Sequence, residues 1–251
     1  MTRISGRPDI SSETVFGQSL RVARWRTDLP GTPLLYLNGV GADIATAAPL
    51  LAQISGREVW TLDMPGVGGS PDAFLPYTAS AMAATVMTIA DRFGHDQIDL
   101  AGFSWGGALA QQIAVQYRSR IRRLVLMATT PSLGAPGIGW AAMLDGDILA
   151  NGLRLPTATP LGLAYQGMAL AGWTSVPMLP LLRGLPVLVL MARDDGIVPA
   201  SHGQMIADLV DDAQVETVPG SHLFPFAHAA RTASRISEFL DQPAAERRAA
   251  A

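Results

Sequence analysis

Apolar residues recur along this chain in two rhythms. Short unbroken runs such as Pro33-Leu-Leu-Tyr-Leu37, Glu58-Val-Trp-Thr-Leu-Asp63, Gln97-Ile-Asp-Leu-Ala-Gly102, Arg122-Arg-Leu-Val-Leu-Met-Ala128 and Pro186-Val-Leu-Val-Leu-Met-Ala192 have the length and content of buried strands. Residues 214–218 add another strand, and residues 15–25 read as an opening antiparallel pair. Between the strands, the spacing predicts helices over about 43–54, 77–93, 108–117, 200–209 and 225–240. This alternation implies an α/β fold: a mostly parallel, eight-stranded sheet covered by helices on both faces. Over residues 131–184 the alternation stops. That stretch is rich in Pro, Gly, Leu, Met and Trp and supports only short helices between breakers. The expected organisation is therefore a core in two parts, residues 1–130 and 185–243, with an inserted helical lid at 131–184 and a frayed tail at 244–251.

Composition removes several chemistries. The chain has 251 residues, 49% of them hydrophobic, which is enough for one substantial core with an insertion. A net charge of −3 leaves no basic footprint for nucleic acid. The absence of cysteine excludes disulfides, thiolate metal sites and cysteine nucleophiles. All 18 basic residues are arginine, so Schiff-base lysines and the phosphate-loop lysine are excluded as well. The first residues lack the apolar run of a secretory signal, and no stretch of about twenty apolar residues is long enough to span a bilayer. A soluble, cytoplasmic protein is expected.

The chemistry centres on Gly102-Phe103-Ser104-Trp105-Gly106. Placed between a strand and a helix, this pattern implies a sharp turn with glycines where side chains have no room. Ser104 would sit at its apex in a strained conformation, hydroxyl exposed and helix N-terminus behind it. A serine hydroxyl needs a base, and the base needs an orienting acid. Of four histidines, His95 lies in a polar loop where a solvated role is expected, His202 reads as a surface residue, and His228 falls inside the last helix. His222, directly after the last strand, lies at the carboxyl edge of the sheet where α/β catalytic groups collect and is the expected base, with His228 as the second candidate.

Asp194 and Asp195 follow the strand ending at Ala192. Asp195, four residues before Pro199, is the expected acid, with Asp194 pointing away to satisfy turn amides. The oxyanion hole would use the backbone N–H of Trp105 and that of Val40, in the glycine-flanked loop after the strand at 33–37. The glycine-rich turn Asp63-Met-Pro-Gly-Val-Gly-Gly-Ser70 lacks the lysine and spacing of a phosphate loop and reads as structural.

The order Ser104, Asp195, His222 is that of the α/β-hydrolases, and the chain resembles that superfamily from about residue 13 to 241. Several segments are similar to the intracellular medium-chain-length poly(3-hydroxyalkanoate) depolymerases. They are Leu37-Asn-Gly-Val-Gly-Ala42, the Asp63–Ser70 turn, Ser104-Trp-Gly-Gly-Ala-Leu-Ala-Gln-Gln112, Gly172-Trp-Thr-Ser175 and Gly220-Ser-His-Leu-Phe224. The resemblance implies a cofactor-free serine esterase, with no metal, acting on hydroxyacid polyesters and associating with hydrophobic polyester granules. Two departures are a 131–184 segment shorter than that family's and Ser221 where glycine is common. Alternatives on the same scaffold are a small-molecule carboxylesterase or lactonase, a carbon–carbon bond hydrolase, and a non-catalytic ligand binder or granule-coating protein. Within the insertion, Trp140, Tyr165, Met168 and Trp173 are expected to line an acyl pocket, against the simpler alternative that they pack the lid onto the core.

Overall fold

A computed structural model describes residues 7–139, 158–211 and 213–243. Eight strands form one sheet: β1 (Asp9–Val15), β2 (Gln18–Trp25), β3 (Leu34–Leu37), β4 (Val59–Leu62), β5 (Ile98–Phe103), β6 (Ile121–Met127), β7 (Val187–Ala192) and β8 (Ala213–Val218). Their spatial order is β1-β2-β4-β3-β5-β6-β7-β8. β1 and β2 pair antiparallel with each other, as do β2 and β4, and every later pairing is parallel.

Helices α1 (Ile44–Leu51), α2 (Ala79–Arg92), α3 (Trp105–Gln116), α4 (Pro160–Leu170), α5 (Ser201–Ala207), α6 (Phe224–Ala227) and α7 (Ala229–Asp241) complete the described elements, with short 3₁₀ turns at Arg118–Arg120 and Leu179–Leu182. The apolar surfaces of α2, α3 and α5 form one core against the sheet, and those of α1, α6 and α7 form another on the opposite face. Strands β3, β4, β5 and β7 are buried at every position, which is why they read as unbroken apolar runs rather than alternating ones. Among the described residues, no helix is long and apolar enough to cross a membrane.

Three elements differ from the periodicity. The opening hairpin begins at Asp9, not at residue 15, and turns at Phe16-Gly17, both with positive φ. β1 is an edge strand whose Ser, Glu and Thr side chains face solvent, so it carries no apolar signal. Helix α3 starts at Trp105, three residues before the pattern predicts, because Gly106 and Gly107 belong to its first turn. The last helix is two: α6 stops at His228 (φ −123°, ψ 44°), and α7 starts immediately after it. That break lets Phe226 meet Phe103 edge-on, ring centroids 5.1 Å apart, while Phe239 and Leu240 reach the core under the sheet.

At the edge of the sheet opposite the elbow, the fully buried Asp99 accepts from Arg57 Nη1 at 2.9 Å and from Arg122 Nε at 2.8 Å. Arg57 also pairs with Asp241, tying α7 to the sheet. Asp99→Ala strands two guanidinium groups, one of them buried, without their shared carboxylate. We expect a loss of about 3–5 kcal/mol of stability, read from the denaturant midpoint, with activity per folded molecule unchanged.

Candidate active site

The turn from β5 into α3 is built by close backbone approach. A methyl group on Gly102 would stand 2.3 Å from the carbonyl oxygen of Gly106, and one on Gly106 would stand 2.3 Å from those of Leu37 and Asn38. Only glycine fits at either position. The constraint forces Ser104 to φ +52° and ψ −118°, a region non-glycine residues rarely occupy. The surroundings hold it there: Ser104 N–H donates to Met127 O at 2.9 Å, and Thr129 Oγ1 donates to Ser104 O at 2.8 Å.

His222 follows β8 and is buried, its ring centroid 5.1 Å from that of Phe103. Its Nε2 lies 3.0 Å from Ser104 Oγ and its Nδ1 lies 2.8 Å from Asp195 Oδ2. A carboxylate only accepts, so Nδ1 carries the proton and Nε2 is left to accept from the serine hydroxyl. The Asp195 side chain is wholly buried. Its other oxygen, Oδ1, accepts from Ile197 N–H at 2.8 Å and Val198 N–H at 2.9 Å. Asp195 thus satisfies the turn amides that the sequence assigned to Asp194. Asp194 is exposed, and its own N–H donates to Gly220 O.

Trp105 follows the serine in the chain, and Val40 follows Gly39 in the loop after β3. Trp105 is the first residue of α3, so its N–H is one of the amides with no acceptor inside the helix. The backbone at Gly39 packs against the nucleophile; a methyl there would lie 3.5 Å from Ser104 Cβ. Neighbouring amides are committed, Gly41 N–H to Gln166 Oε1 and Ala42 N–H to Gly39 O. Among the described residues, Val40 N–H has no acceptor.

The other histidines sit elsewhere. His202 is buried rather than on the surface, with Nδ1 3.0 Å from Thr130 Oγ1 and Nε2 2.9 Å from Pro136 O. It pins the chain leaving β6 to α5, a contact 72 residues apart in sequence that no local pattern announces. His95 is largely covered, packed on Trp60 and Phe93 and 3.3 Å from Glu58 Oε1. His228 stands at the α6–α7 break beside Gly220. The Asp63 turn is structural: buried Asp63 accepts from Ile44 N–H at 2.7 Å and Gly69 N–H at 2.9 Å, and burial raises its carboxyl pKa against the pull of those amides.

Of the residues expected to line a pocket, Trp140 lies outside the described residues. Trp173 donates its indole N–H to Gln112 Oε1 at 3.0 Å and packs on the core. Tyr165 is half-buried and Met168 is exposed, both on α4. Sequence reasoning assigned no role to the glutamines of α3 and α4, which join the 131–184 segment to the nucleophile helix. Gln111 accepts from buried Ser175, Gln112 accepts from Trp173, and Gln166 receives the Trp105 indole N–H on its main-chain oxygen. The segment Gly172-Trp-Thr-Ser175 was the available signal, since two of its four residues make these bonds.

The sheet order and the strand–elbow–helix define the class, and comparison with known families agrees. A family model for the alpha/beta hydrolase fold matches residues 32–158, and the chain belongs to this family. It is 31% identical to a poly(3-hydroxyalkanoate) depolymerase of Ectopseudomonas oleovorans over 241 residues, covering 84% of this chain and 85% of that protein. It is also 30% identical to a 2-hydroxymuconate semialdehyde hydrolase of Pseudomonas sp. (strain CF600), covering 89% of this chain and 93% of that protein. The crystal structure of a hydrolase from Pseudomonas aeruginosa PA01 superposes with a TM-score of 0.81 at 24% identity, over 93% of this chain and 99% of that one.

Proposed function

We propose that the protein is a serine esterase that hydrolyses carboxylic esters through an acyl-enzyme, with medium-chain hydroxyalkanoate polyesters or their oligomers as substrate. The observation that carries this reading is the placing of His222 within hydrogen-bond distance of both Ser104 Oγ and Asp195 Oδ2. Ser104 Oγ attacks the ester carbonyl carbon while its proton passes to His222 Nε2, and Asp195 holds the imidazolium. The negative charge that builds on the carbonyl oxygen is met by the amides of Val40 and Trp105. The intermediate collapses as the alcohol oxygen leaves with the proton from Nε2. Water then repeats the sequence, deprotonated by the same nitrogen, and releases the acid.

The substrate class is supported by the depolymerase relative and by α4, whose Leu163 and Gln166 lie against the loop after β3; we assign residues 131–184 as a lid. Association with a polyester surface belongs to the same reading. Exposed Phe74, Leu75 and Leu161 lie close to the Asp72–Thr159 hydrogen bond that joins the loop after β4 to the start of α4. A second reading, carbon–carbon bond hydrolysis, is favoured by the 30% identity to a 2-hydroxymuconate semialdehyde hydrolase.

One panel separates them: p-nitrophenyl esters from acetate to long chains, an emulsified medium-chain polyester, and a vinylogous diketone acid. Each methylene of apolar contact contributes roughly 0.8 kcal/mol, about a fourfold factor, so medium chains should outrun acetate clearly. Alanine at Tyr165 or Met168 should flatten that profile, with the larger loss in kcat/KM on medium and long chains. Fastest turnover on acetate, with polyester untouched, overturns the depolymerase reading. Turnover confined to the diketone acid replaces it with the carbon–carbon one.

A further inference from the structure

Helix α4 carries one buried polar side chain over the catalytic edge, Gln166, which has no exposed surface. It touches both sides of the oxyanion hole. Its Oε1 accepts from Gly41 N–H at 3.1 Å, one residue beyond Val40, and its main-chain oxygen accepts from the Trp105 indole at 2.8 Å. A methyl group on Gly41 would stand 2.9 Å from Leu163, so α4 lies directly on this loop. The Nε2 group of Gln166 is buried and has no partner among the described residues. Rotating the amide does not relieve this, because its N–H₂ would then face the N–H of Gly41, donor against donor. The orientation is therefore set by Gly41, and two donor hydrogens are left over in a place where proteins leave few polar groups unpaired.

A carbonyl oxygen held between the Val40 and Trp105 amides lies one residue from the Gly41–Gln166 bond. The substrate is the natural source of an acceptor there. We propose that Gln166 is a specificity-determining residue. Its amide oxygen fixes the oxyanion loop, and its amide nitrogen donates to the 3-hydroxyl oxygen of the acyl group, selecting 3-hydroxyacyl esters over plain acyl esters. This inference rests on the ester-hydrolase reading above. Such a donor supplies a discrimination that an apolar pocket alone cannot, since such a pocket discriminates weakly for or against one hydroxyl.

The test is the ratio of kcat/KM for methyl 3-hydroxyoctanoate to that for methyl octanoate. It is measured by proton release on the wild type, on Gln166→Met and on Gln166→Glu. Methionine keeps the length and volume without either polar group, whereas glutamate keeps an oxygen for Gly41 and loses the N–H₂. The wild type should prefer the hydroxy ester roughly tenfold, the factor of one net hydrogen bond, and both variants should bring the ratio close to one. A ratio is independent of the fraction of enzyme that folds, so loss of stability in either variant does not obscure the result. A wild-type ratio near one, or the wild-type ratio retained in either variant, overturns the proposal. A wild type that hydrolyses neither ester overturns the esterase reading instead.

Discussion

Ser104→Ala should abolish ester hydrolysis, with kcat falling by about 10⁶-fold, while the unfolding midpoint stays close to that of the wild type. The size of the effect follows from the role. In the proposed mechanism nothing without Oγ can form the acyl-enzyme, and only the amides of Val40 and Trp105 and substrate binding would remain to help water. The fold should tolerate the change, because the cost of the positive φ at Ser104 is imposed by Gly102, Gly106 and the bonds to Met127 and Thr129, none of which involves the hydroxyl. A fluorophosphonate should label Ser104 in the wild type and nothing in the variant, as read by peptide mass. Labelling of another serine, or turnover near wild type in the alanine variant, would sink the assignment.

Asp195→Asn should cost about 10⁴-fold in kcat. The geometry gives the reason in detail. Oδ1 of Asp195 accepts two turn amides, from Ile197 and Val198, so an asparagine must keep its oxygen on that side. Its N–H₂ then faces His222 Nδ1, which has to become an acceptor, and the ring proton moves to Nε2. With Nε2 protonated, the imidazole has no lone pair for the proton of Ser104, although every heavy atom is in place. Asp194→Asn, at an exposed side chain, should change kcat by a factor of no more than about two to three. Measured side by side, the two variants rank the acids; the reverse ranking would move the acid one position along the chain.

The fold was legible because its signals are local. Strands β3 to β7 are fully buried or nearly so, and burial writes itself as apolar runs. The elbow was legible because two of its glycines sit where a Cβ collides with neighbouring backbone, a steric demand that leaves one residue type. The split of the last helix was not, because Phe224 to Asp241 keeps its apolar residues in phase while the backbone breaks at His228.

Pattern and spacing by themselves determined the alternation of strands and helices, the elbow at Ser104, and the presence of Asp195 and His222 after the strands that end at one edge of the sheet. Each of these depends on residues within a few positions of one another. The tertiary structure decided the rest: that Asp195 divides its two oxygens between His222 and the turn amides, that His202 is buried against Thr130 and Pro136, and that Gln166 reaches both Gly41 and Trp105. These contacts join residues up to 125 apart in the chain. A polar side chain has the same local pattern whether it is solvated or paired, and only packing decides which partner a buried donor or acceptor finds.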